Sequence, residues 1–437
     1  MPTANLLADQ HSSPTETEER RKPRILWASL FTLLDTSSGA AITVREMLRQ
    51  LVFRGYEVAV VGATLFDAEQ GIARMPPDWM GSLEKGDAIT VADKPLLHHL
   101  LLTKSTKFSE MTMQEAGKWL ALYRQLLESF KPDLLYFYGG SSIELLISDE
   151  ARQRGIPVVM YLANGSYSGS RWCRDVDLVV TNSEATVAYY RRTNSIVPTM
   201  VGRFVDALSV RAEKQRRTNL LFVNPSLEKG AGIVILLALA LEKRRPDITI
   251  EVVESRGAWP ALVREVTSQL GAGREHLGNV LLTPNTTDMR PVYGRARLLI
   301  APSLWWESSG RVAVEAMING IPAIVTDRGG LPEMIGGGGI KLQLDEKIYE
   351  KPWNKLPKGD VLEPLVETII RMYDDEAYYN RFVARAFQAA ETLHHIGAST
   401  ERLMLAFQPL IEKRAGDRKD EFVAERPHKQ YSRQPLT

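Results

Sequence analysis

Apolar runs of strand length alternate with longer helical patterns along most of the chain, and this alternation constrains the fold more than any other feature. It is typical of a parallel sheet with helices on both faces. The runs of the first half are RILWASLF (24–31), EVAVVGA (57–63), DLLYFY (133–138), PVVMYL (157–162) and DLVVTNS (177–183). Those of the second half are NLLFVNP (219–225), TIEVVES (249–255), NVLLTPN (279–285), LLIAPS (298–303) and IPAIVTD (321–327). The chain is therefore predicted to be an α/β protein with two Rossmann-like, doubly wound domains that face each other across a cleft.

The domain boundaries follow from composition, because 437 residues exceed what one hydrophobic core normally organises. Polar composition predicts a disordered leader and a disordered tail at the two ends. The stretch from Ala63 to about Thr112 has no clear period and is predicted to form loops above the first sheet. The predicted segments are the leader (1–22), an amino-terminal domain (23–205), a carboxyl-terminal domain (206–390), a helix that braces the first domain (391–414) and the tail (415–437).

Charge and cysteine content limit the partners and the compartment. A formal net charge of +1 gives no general attraction to nucleic acid, and none is predicted as a partner. The single Cys173 excludes an internal disulfide and suits a reducing compartment. The sequence has no run of 18 apolar residues that would span a bilayer. We expect a cytoplasmic protein; peripheral contact at the inner face of the membrane stays open, because an aromatic and basic surface can bind lipid without a spanning helix.

No metal site is predicted. His98–His99 and His394–His395 are adjacent pairs that would point to different faces of a helix, which is poor geometry for metal ligands. The sequence offers no cluster of cysteine and histidine either.

The segment APSLWWESSGRVAVEAMINGIPAIVTDRGGLPEMI (301–335) contains the strongest candidate site. Ligands of parallel sheets bind beyond the carboxyl ends of the strands, where this turn lies. A helix predicted to begin near Ser309 or Gly310, with a serine as N-cap, would point free N–H groups at an anion. Glu315 can accept hydrogen bonds from the vicinal hydroxyls of a ribose, and Glu307 can meet a second polyol. On spacing alone, a solvated Glu307 and a paired Glu315 are equally compatible.

Three other turns carry weaker signals. Lys229, in FVNPSLEKGAG (222–232), lies at a helix start, where a lysine is favourable only beside an anion. The turn DTSSGAA (35–41) can present the amides of Gly39 and Ala40, and ANGSYSG (163–169) offers Asn164. A solvated lysine and ordinary turns are the alternatives.

Taken together, these turns resemble the retaining family-4 glycosyltransferases of the GT-B fold, also called glycosyl transferases group 1. The resemblance covers about residues 24–410 and is sharpest over 298–335, with its paired glutamates and its Gly-Gly-Leu-Pro-Glu continuation. LEKG (227–230) is similar to the lysine motif that binds diphosphate in that family. SSGAAITVREMLRQLVFRGYEVAVV (37–61) is similar to its amino-terminal glycine loop and first helix.

The resemblance implies transfer of a hexose from a UDP- or GDP-linked sugar to an acceptor, with retention of anomeric configuration and without a metal or another cofactor. Glu315 would hold the donor ribose, and Glu307 would contact the donor sugar. Lys229 and Glu307 are the predicted catalytic residues, and Asn164 is predicted on the acceptor and sugar side. The predicted donor-binding residues are Gly39, Ala40, Asn224, Gly230, Ser309, Gly310, Arg311, Val312 and Glu315. The acceptor, which can be a glycan, a lipid-linked acceptor or a small molecule, the linkage and the oligomeric state do not follow from the sequence.

The chain departs from the family pattern at two positions. Asn224 stands where the family commonly has an arginine five residues before the lysine, so one cation is lost unless Arg203 or Arg256 replaces it. Asn164 stands in a loop where family members often carry a histidine. An amide can bind a hydroxyl but cannot carry a proton, which puts rate and sugar preference in doubt.

Two other classes of function are compatible with parts of this pattern. A non-catalytic GT-B subunit would bind a nucleotide sugar or a partner enzyme without turnover, and Asn164 and Asn224 keep this alternative open. A nucleotide-sugar epimerase or a phosphorylase shares the two-domain design, but the sequence shows neither acid–base residues around a sugar nor a lysine site for pyridoxal phosphate.

Overall fold

The computed structural model describes residues 21–84, 87–255 and 257–424. Almost all of the predicted leader (1–22) and the second half of the predicted tail (415–437) lie outside these residues. Within them, the strands form two separate sheets, one in each half of the chain. Both sheets are parallel apart from one edge strand, and helices cover both faces, which confirms the predicted fold class.

The amino-terminal sheet has eight strands among the described residues, in the order β3-β4-β2-β1-β5-β6-β7-β8. Their bounds are β1 Arg24–Ala28, β2 Glu57–Ala63, β3 Ala88–Asp93, β4 Leu96–Leu101, β5 Leu134–Phe137, β6 Val158–Leu162, β7 Leu178–Thr181 and β8 Thr199–Met200. The helices that cover it are α1 Gly39–Phe53, α2 Met113–Phe130, α3 Leu145–Gln153 and α4 Glu184–Asn194. The carboxyl ends of β1, β2, β5 and β6 therefore lie at one edge of the sheet.

The prediction that 63–112 consists of loops above the sheet was wrong. β3 and β4 form an antiparallel hairpin, and β4 pairs with β2, so this stretch widens the sheet at its edge. His98 is buried on one face of β4 and His99 is half-buried on the other. The two histidines alternate across a strand instead of pointing to different faces of a helix.

The carboxyl-terminal sheet has the order β11-β10-β9-β12-β13-β14 among the described residues. Its strands are β9 Asn219–Val223, β10 Ile250–Val253, β11 Val280–Thr283, β12 Ala296–Ala301, β13 Ala323–Thr326 and β14 Gly339–Leu342. The short helix α5 Ala207–Val210 connects the two halves. The other helices are α6 Ala231–Arg244, α7 Trp259–Gln269, α8 Arg290–Arg295, α9 Arg311–Ile318, α10 Leu331–Ile335, α11 Gly359–Asp374, α12 Glu376–Leu393 and α13 Ile396–Ala424.

Helix α13 crosses back to the first domain. Leu403 and Phe407 of this helix are buried in the core of the first domain, where the Phe407 ring packs edge to face on Tyr136 at a centroid distance of 5.3 Å. The helix continues to Ala424, so residues 415–424, which were predicted as tail, are helical. No helix in the described ranges is long and apolar enough to cross a membrane.

The two domains also meet through a buried polar junction. The Arg203 guanidinium, 5% exposed, pairs with Glu333 at the start of α10. His394, which joins α12 to α13, lies within 2.7 Å of the Met334 carbonyl oxygen through Nε2. Because a carbonyl only accepts, the neutral imidazole donates its Nε2–H here. The Arg203–Glu333 pair therefore joins the end of the first domain to α10 of the second.

We expect His394 to make the stability of the protein fall in mild acid. Burial, together with the nearby Arg203 cation, lowers the pKa of His394 to about 4. The unfolded chain takes up this proton near pH 6.5, but the native state takes it up only near pH 4. The contribution of the neutral His394 to stability is therefore fully present above pH 6.5 and is lost as the pH falls from 6.5 to 4. The expected loss is up to about 3 kcal/mol at pH 4.

Urea unfolding at several pH values checks this expectation. Between pH 6.5 and 4, the free energy of unfolding of His394→Gln should fall by up to about 3 kcal/mol less than that of the wild type. His276→Gln, a change at an exposed histidine, should leave the wild-type slope in place. Equal slopes in the wild type and His394→Gln would contradict the assignment.

Candidate active site

A cavity of about 690 Å³ lies between the two domains, beyond the carboxyl ends of the strands. The turn after β1 and one face of α1 form its amino-terminal wall. The turns after β9, β10, β11 and β12 form the opposite wall, and this second wall includes Asn285–Thr287. The cleft predicted from two doubly wound halves is therefore present, and most of the motifs identified from the sequence meet in it.

Most of the predicted site residues line this cavity, although they come from three separate turns. The residues on its wall are Gly39, Asn224, Lys229, Glu307, Gly310, Arg311, Val312 and Glu315. The predicted residues outside its wall are Ala40, Asn164, Gly230 and Ser309. The second group lies directly beside the first in the chain, except for Asn164.

Lys229 and Glu307 form an ion pair inside the cavity. The Lys229 Nζ contacts Glu307 Oε1, although the two residues are 78 positions apart in the chain. The side chains are 28% and 18% exposed, so the pair faces the cavity without being fully solvated. Ser303 Oγ donates to the same carboxylate oxygen at 3.2 Å. The ammonium group is thus held at the mouth of the turn between β9 and α6, where an anion can reach it.

Helix α9 begins at the cavity, but its cap differs from the prediction. The N-cap is Gly310 and not a serine, and no side chain among the described residues caps the helix. Gly310 has a φ of 64°, and a methyl group there would lie 2.3 Å from a Leu331 methyl carbon. A glycine is therefore needed for both the left-handed backbone and the close packing. The uncapped first turn leaves backbone N–H groups for a ligand.

Glu315 is buried on the inner side of α9. One carboxylate oxygen accepts from the Tyr293 hydroxyl, and the other lies 2.6 Å from Arg311 Nε. Burial, followed by the charge of Glu315, raises the pKa of Tyr293 well above its usual value. The carboxylate is therefore paired, which was one of the two alternatives, yet it also lines the cavity. Each carboxylate oxygen has two lone pairs, so these contacts leave room for ligand hydroxyls.

The loop with Asn164 contacts the site from outside the cavity wall. Asn164 Oδ1 accepts from the Ser166 amide at 2.9 Å, and the backbone of Asn164 forms an isolated β-bridge with Glu307. A methyl group at Gly165 would lie 2.8 Å from the Trp306 ring, which itself packs on Tyr189 at a centroid distance of 4.5 Å. The loop thus positions the backbone around Glu307.

Of the two arginines suggested as a replacement for the missing family cation, the structure describes only Arg203. Arg203 is buried and paired with Glu333 at the domain junction, so that suggestion was wrong. Arg256 lies outside the described residues. Asn224 lines the cavity with a φ of 61°, the left-handed region that asparagine tolerates better than most residues.

Asp35 is a cavity residue that the sequence interpretation missed. Its Oδ1 accepts from the Ser37 amide at 2.7 Å and from the Ser37 hydroxyl at 2.6 Å, and its Oδ2 accepts from the Asp67 amide at 2.7 Å. Burial raises the pKa of Asp35 despite these bonds. An aspartate two residues before a serine is a common turn signal, and it would have pointed to this carboxylate as the organiser of the turn before α1.

Comparisons with known proteins agree with this architecture. The family model described as glycosyl transferases group 1 matches residues 257–375. The lipopolysaccharide core biosynthesis mannosyltransferase LpsB of Rhizobium meliloti is 25% identical over 177 residues, which are 38% of this chain and 49% of that protein. The D-inositol 3-phosphate glycosyltransferase of Corynebacterium glutamicum is 31% identical over 172 residues, which are 37% of this chain and 39% of that protein. The chain spans less than half the length of these curated relatives.

Solved structures extend the similarity of fold to almost the whole chain. Anabaena Alr3699/HepE, solved with UDP and glucose, has a TM-score of 0.63 at 16% identity and covers 89% of this chain and 100% of its own. A glycosyltransferase from Rickettsia africae has a TM-score of 0.62 at 13% identity, with coverage of 90% and 99%. The resemblance to glycosyl transferases group 1 is therefore confirmed over residues 257–375, and the chain has the two-domain GT-B fold.

Proposed function

We propose that this protein is a glycosyltransferase that moves a hexose from a UDP- or GDP-linked sugar to an acceptor with retention of anomeric configuration. The observation that supports this most is the meeting of Lys229, Glu307 and the uncapped start of α9 in one interdomain cavity. The names of the relatives, a mannosyltransferase and a glycosyltransferase, support the reaction class. The first of them also suggests a role in polysaccharide biosynthesis.

In the proposed complex, the donor diphosphate lies at the start of α9 and meets the Lys229 ammonium. The N–H groups of Gly310 and Arg311 and the Lys229 cation then stabilise the charge that develops as the nucleoside diphosphate departs. A donor that fills the cavity would displace bulk water from it, which would strengthen these interactions. Because the chain's own groups supply this positive charge, we propose that no metal ion and no organic cofactor takes part.

The carboxylates have different proposed roles. Glu315, held by Tyr293 and Arg311, accepts hydrogen bonds from the donor ribose. Glu307 releases Lys229 when the diphosphate arrives and turns to the hydroxyls of the donor sugar. The ion pair seen between Lys229 and Glu307 is then the resting state of the site, in which each side chain is held ready for its ligand.

A panel of UDP- and GDP-sugars tests the proposal. We expect slow release of nucleoside diphosphate from one donor, and an acceptor product whose anomeric proton coupling, measured by NMR, shows the configuration of the donor. Tight binding of a donor without turnover across all acceptors would favour a non-catalytic subunit. An isomerised donor would favour an epimerase, and inversion at the anomeric carbon would overturn the retaining mechanism.

Gly39→Ala is expected to weaken donor binding about tenfold without lowering stability. Gly39 is exposed at the first position of α1 and lines the cavity, and no described heavy atom lies within 4 Å of where its methyl group would project. Alanine also suits a helix better than glycine does. The methyl group therefore costs the fold nothing but occupies the space through which a phosphate would approach the backbone. Calorimetric titration with UDP, together with a melting curve, measures both effects.

Gly81 provides a matched control, since no described heavy atom lies within 4 Å of its methyl position either and it does not line the cavity. Gly81→Ala should bind UDP as the wild type does. Unchanged UDP affinity in Gly39→Ala would contradict the placement of the diphosphate beside α1.

A further inference from the structure

Three arginines face the cavity from its amino-terminal wall, away from the residues proposed to bind the donor. Arg45 and Arg49 lie on α1 and are one turn apart, so they share a face of the helix with Ile42 and Glu46, which also line the cavity. Arg74 reaches the same region from the 3₁₀ segment Glu69–Arg74. Arg45 and Arg49 fall within the segment 37–61 that resembles the family's first helix, but no role is predicted from the sequence for any of the three arginines.

The contacts among these groups leave guanidinium donors available. Arg45 donates two hydrogen bonds to the Asp93 carboxylate, one from Nε and one from Nη2, the latter to Oδ1 at 2.7 Å. Arg74 Nη1 is 3.9 Å from the same carboxylate, which is too long for a hydrogen bond. Arg49 donates to the Lys94 carbonyl at 2.6 Å and lies 3.6 Å from Glu46. The Asp93 carboxylate therefore forms its hydrogen bonds with Arg45 and neutralises the charge of Arg74 only weakly.

The electrostatics of Arg74 agree with a local excess of positive charge around its guanidinium, although Asp35, Glu46 and Asp93 line the same wall. Partial burial, and after it repulsion from Arg45, lowers the pKa of Arg74 below its usual value, with Arg49 acting in the same direction. A guanidinium in such surroundings stays charged, because arginine is not deprotonated in proteins. Because Asp93 is bound by Arg45 and Glu46 lies beside Arg49, an oxyanion would mainly relieve the repulsion of Arg74 by its two arginine neighbours.

This positive wall is distinct from the proposed diphosphate position. Lys229 and the start of α9 lie on the carboxyl-terminal wall, and only the first residue of α1, Gly39, is proposed to approach the donor phosphates. Arg45 and Arg49 lie about 9 and 15 Å farther along α1 at 1.5 Å per residue. The backbone of these two arginines therefore lies beyond the first turn of α1.

We propose that Arg45, Arg49 and Arg74 form a binding subsite for an oxyanion, a phosphate or carboxylate group carried by the acceptor. Guanidinium groups bind both oxyanions through paired N–H donors. Asp93 orients Arg45 in this subsite and leaves Arg49 and Arg74 for the ligand. The inference deepens the proposed function and rests on it for the identity of the ligand as an acceptor, but the presence of an oxyanion subsite is testable without turnover.

The binding test uses the full chain with Lys229→Met, which removes the cation of the proposed diphosphate site. Methyl phosphate and, in separate titrations, acetate are the probes, and calorimetry measures the dissociation constants. Methyl phosphate should still bind, and Arg49→Gln and Arg74→Gln in this background should each weaken it at least about fivefold. Acetate binding identifies a subsite that also takes carboxylates, and a response to methyl phosphate alone assigns it to phosphate.

Two controls accompany the binding test. Arg152 does not line the cavity, and its side chain is exposed to a similar degree as that of Arg74, 48% against 44%. Arg152→Gln should therefore leave the binding of methyl phosphate unchanged. Arg74→Lys keeps the charge and should lose less affinity than Arg74→Gln. Methyl phosphate binding that disappears with Lys229→Met alone, or that ignores both Arg49→Gln and Arg74→Gln, would overturn the proposal.

A second measurement separates this inference from the proposed function. With a donor that turns over, glucose and glucose 6-phosphate serve as matched neutral and anionic acceptors. The ratio of kcat/KM for the anionic over the neutral acceptor should fall at least about fivefold in Arg74→Gln. An unchanged ratio with active enzyme would overturn the oxyanion subsite and leave the glycosyltransferase proposal standing. Failure of every donor would reject the glycosyltransferase proposal, whereas the calorimetric result would still decide whether the oxyanion subsite exists.

Discussion

Replacing Lys229 with methionine is expected to lower kcat/KM for the nucleotide-sugar donor by a factor of about 100 to 1000. In the proposed complex the ammonium meets the diphosphate, and the charge on that group grows as the sugar leaves. Among the described residues, the uncharged Asn224 lines the cavity at this turn, and Arg203 is paired with Glu333 at the domain junction. Steady-state kinetics with the donor found in the panel measures the loss.

The controls keep this result from being ascribed to folding. Lys229→Arg retains a cation on a longer side chain and should recover a substantial part of the activity. Lys118→Met removes a lysine whose partner, Asp87, lies at the far edge of the first domain, and it should have no effect. Activity of Lys229→Met within about threefold of the wild type would contradict the proposed role.

Removal of the other member of the ion pair should have a different effect on binding. Glu307→Gln releases Lys229 from its resting partner, so UDP without a sugar should bind as tightly as in the wild type, or up to about tenfold more tightly. Transfer should fall nevertheless, because the carboxylate proposed to hold the donor sugar is lost. Calorimetry with UDP, set beside turnover of the intact donor, resolves the two effects. Equal weakening of UDP binding by Lys229→Met and Glu307→Gln would contradict the resting pair.

The sequence predicts the strands of this fold well where they are buried on both faces. β2 coincides with the predicted run EVAVVGA, and the buried strands β5, β6, β9 and β13 lie inside their predicted runs. Parallel strands in a covered sheet need continuous apolar runs, which are easy to recognise. The hairpin of β3 and β4 at the sheet edge was missed because half of its residues face solvent and Pro95 and two histidines interrupt the apolar pattern.

The candidate site was predictable where local chemistry determines it and not where the tertiary fold brings residues together. The rule for strand ends located the turns with Lys229 and Glu307, but a contact between positions 78 residues apart has no local signal. Ser309 was a reasonable N-cap by composition, yet the left-handed backbone at Gly310 decided the cap. Arg45, Arg49 and Arg74 look like ordinary surface arginines in the sequence, since only the pairing of β3 with β4 brings Asp93 to Arg45 and Arg74.

Gly230→Ala is expected to reduce the free energy of unfolding by about 2 to 5 kcal/mol and to lower activity as well. Gly230 has a φ of 82°, and a methyl group there would lie 2.1 Å from the Pro302 carbonyl oxygen. The left-handed backbone alone costs a residue with Cβ about 1 to 2 kcal/mol. Relief of the clash requires the backbone around Pro302 or the turn before α6 to move, which costs about 1 to 3 kcal/mol more. Either movement displaces Lys229, which directly precedes Gly230, from Glu307.

Gly271→Ala is the control that separates the cost of the left-handed backbone from the cost of the contact with Pro302. Gly271 has a φ of 78°, close to that of Gly230, but no described heavy atom lies within 4 Å of its methyl position. This variant should therefore show only the backbone cost, and urea unfolding of the two variants gives the contact with Pro302 by difference. Because the turn before α6 and the turn after β12 touch at this point, the difference measures how firmly the fold holds the Lys229 turn against the strand end that leads to Glu307. Equal losses in Gly230→Ala and Gly271→Ala would show that the close approach of the two turns does not constrain the site.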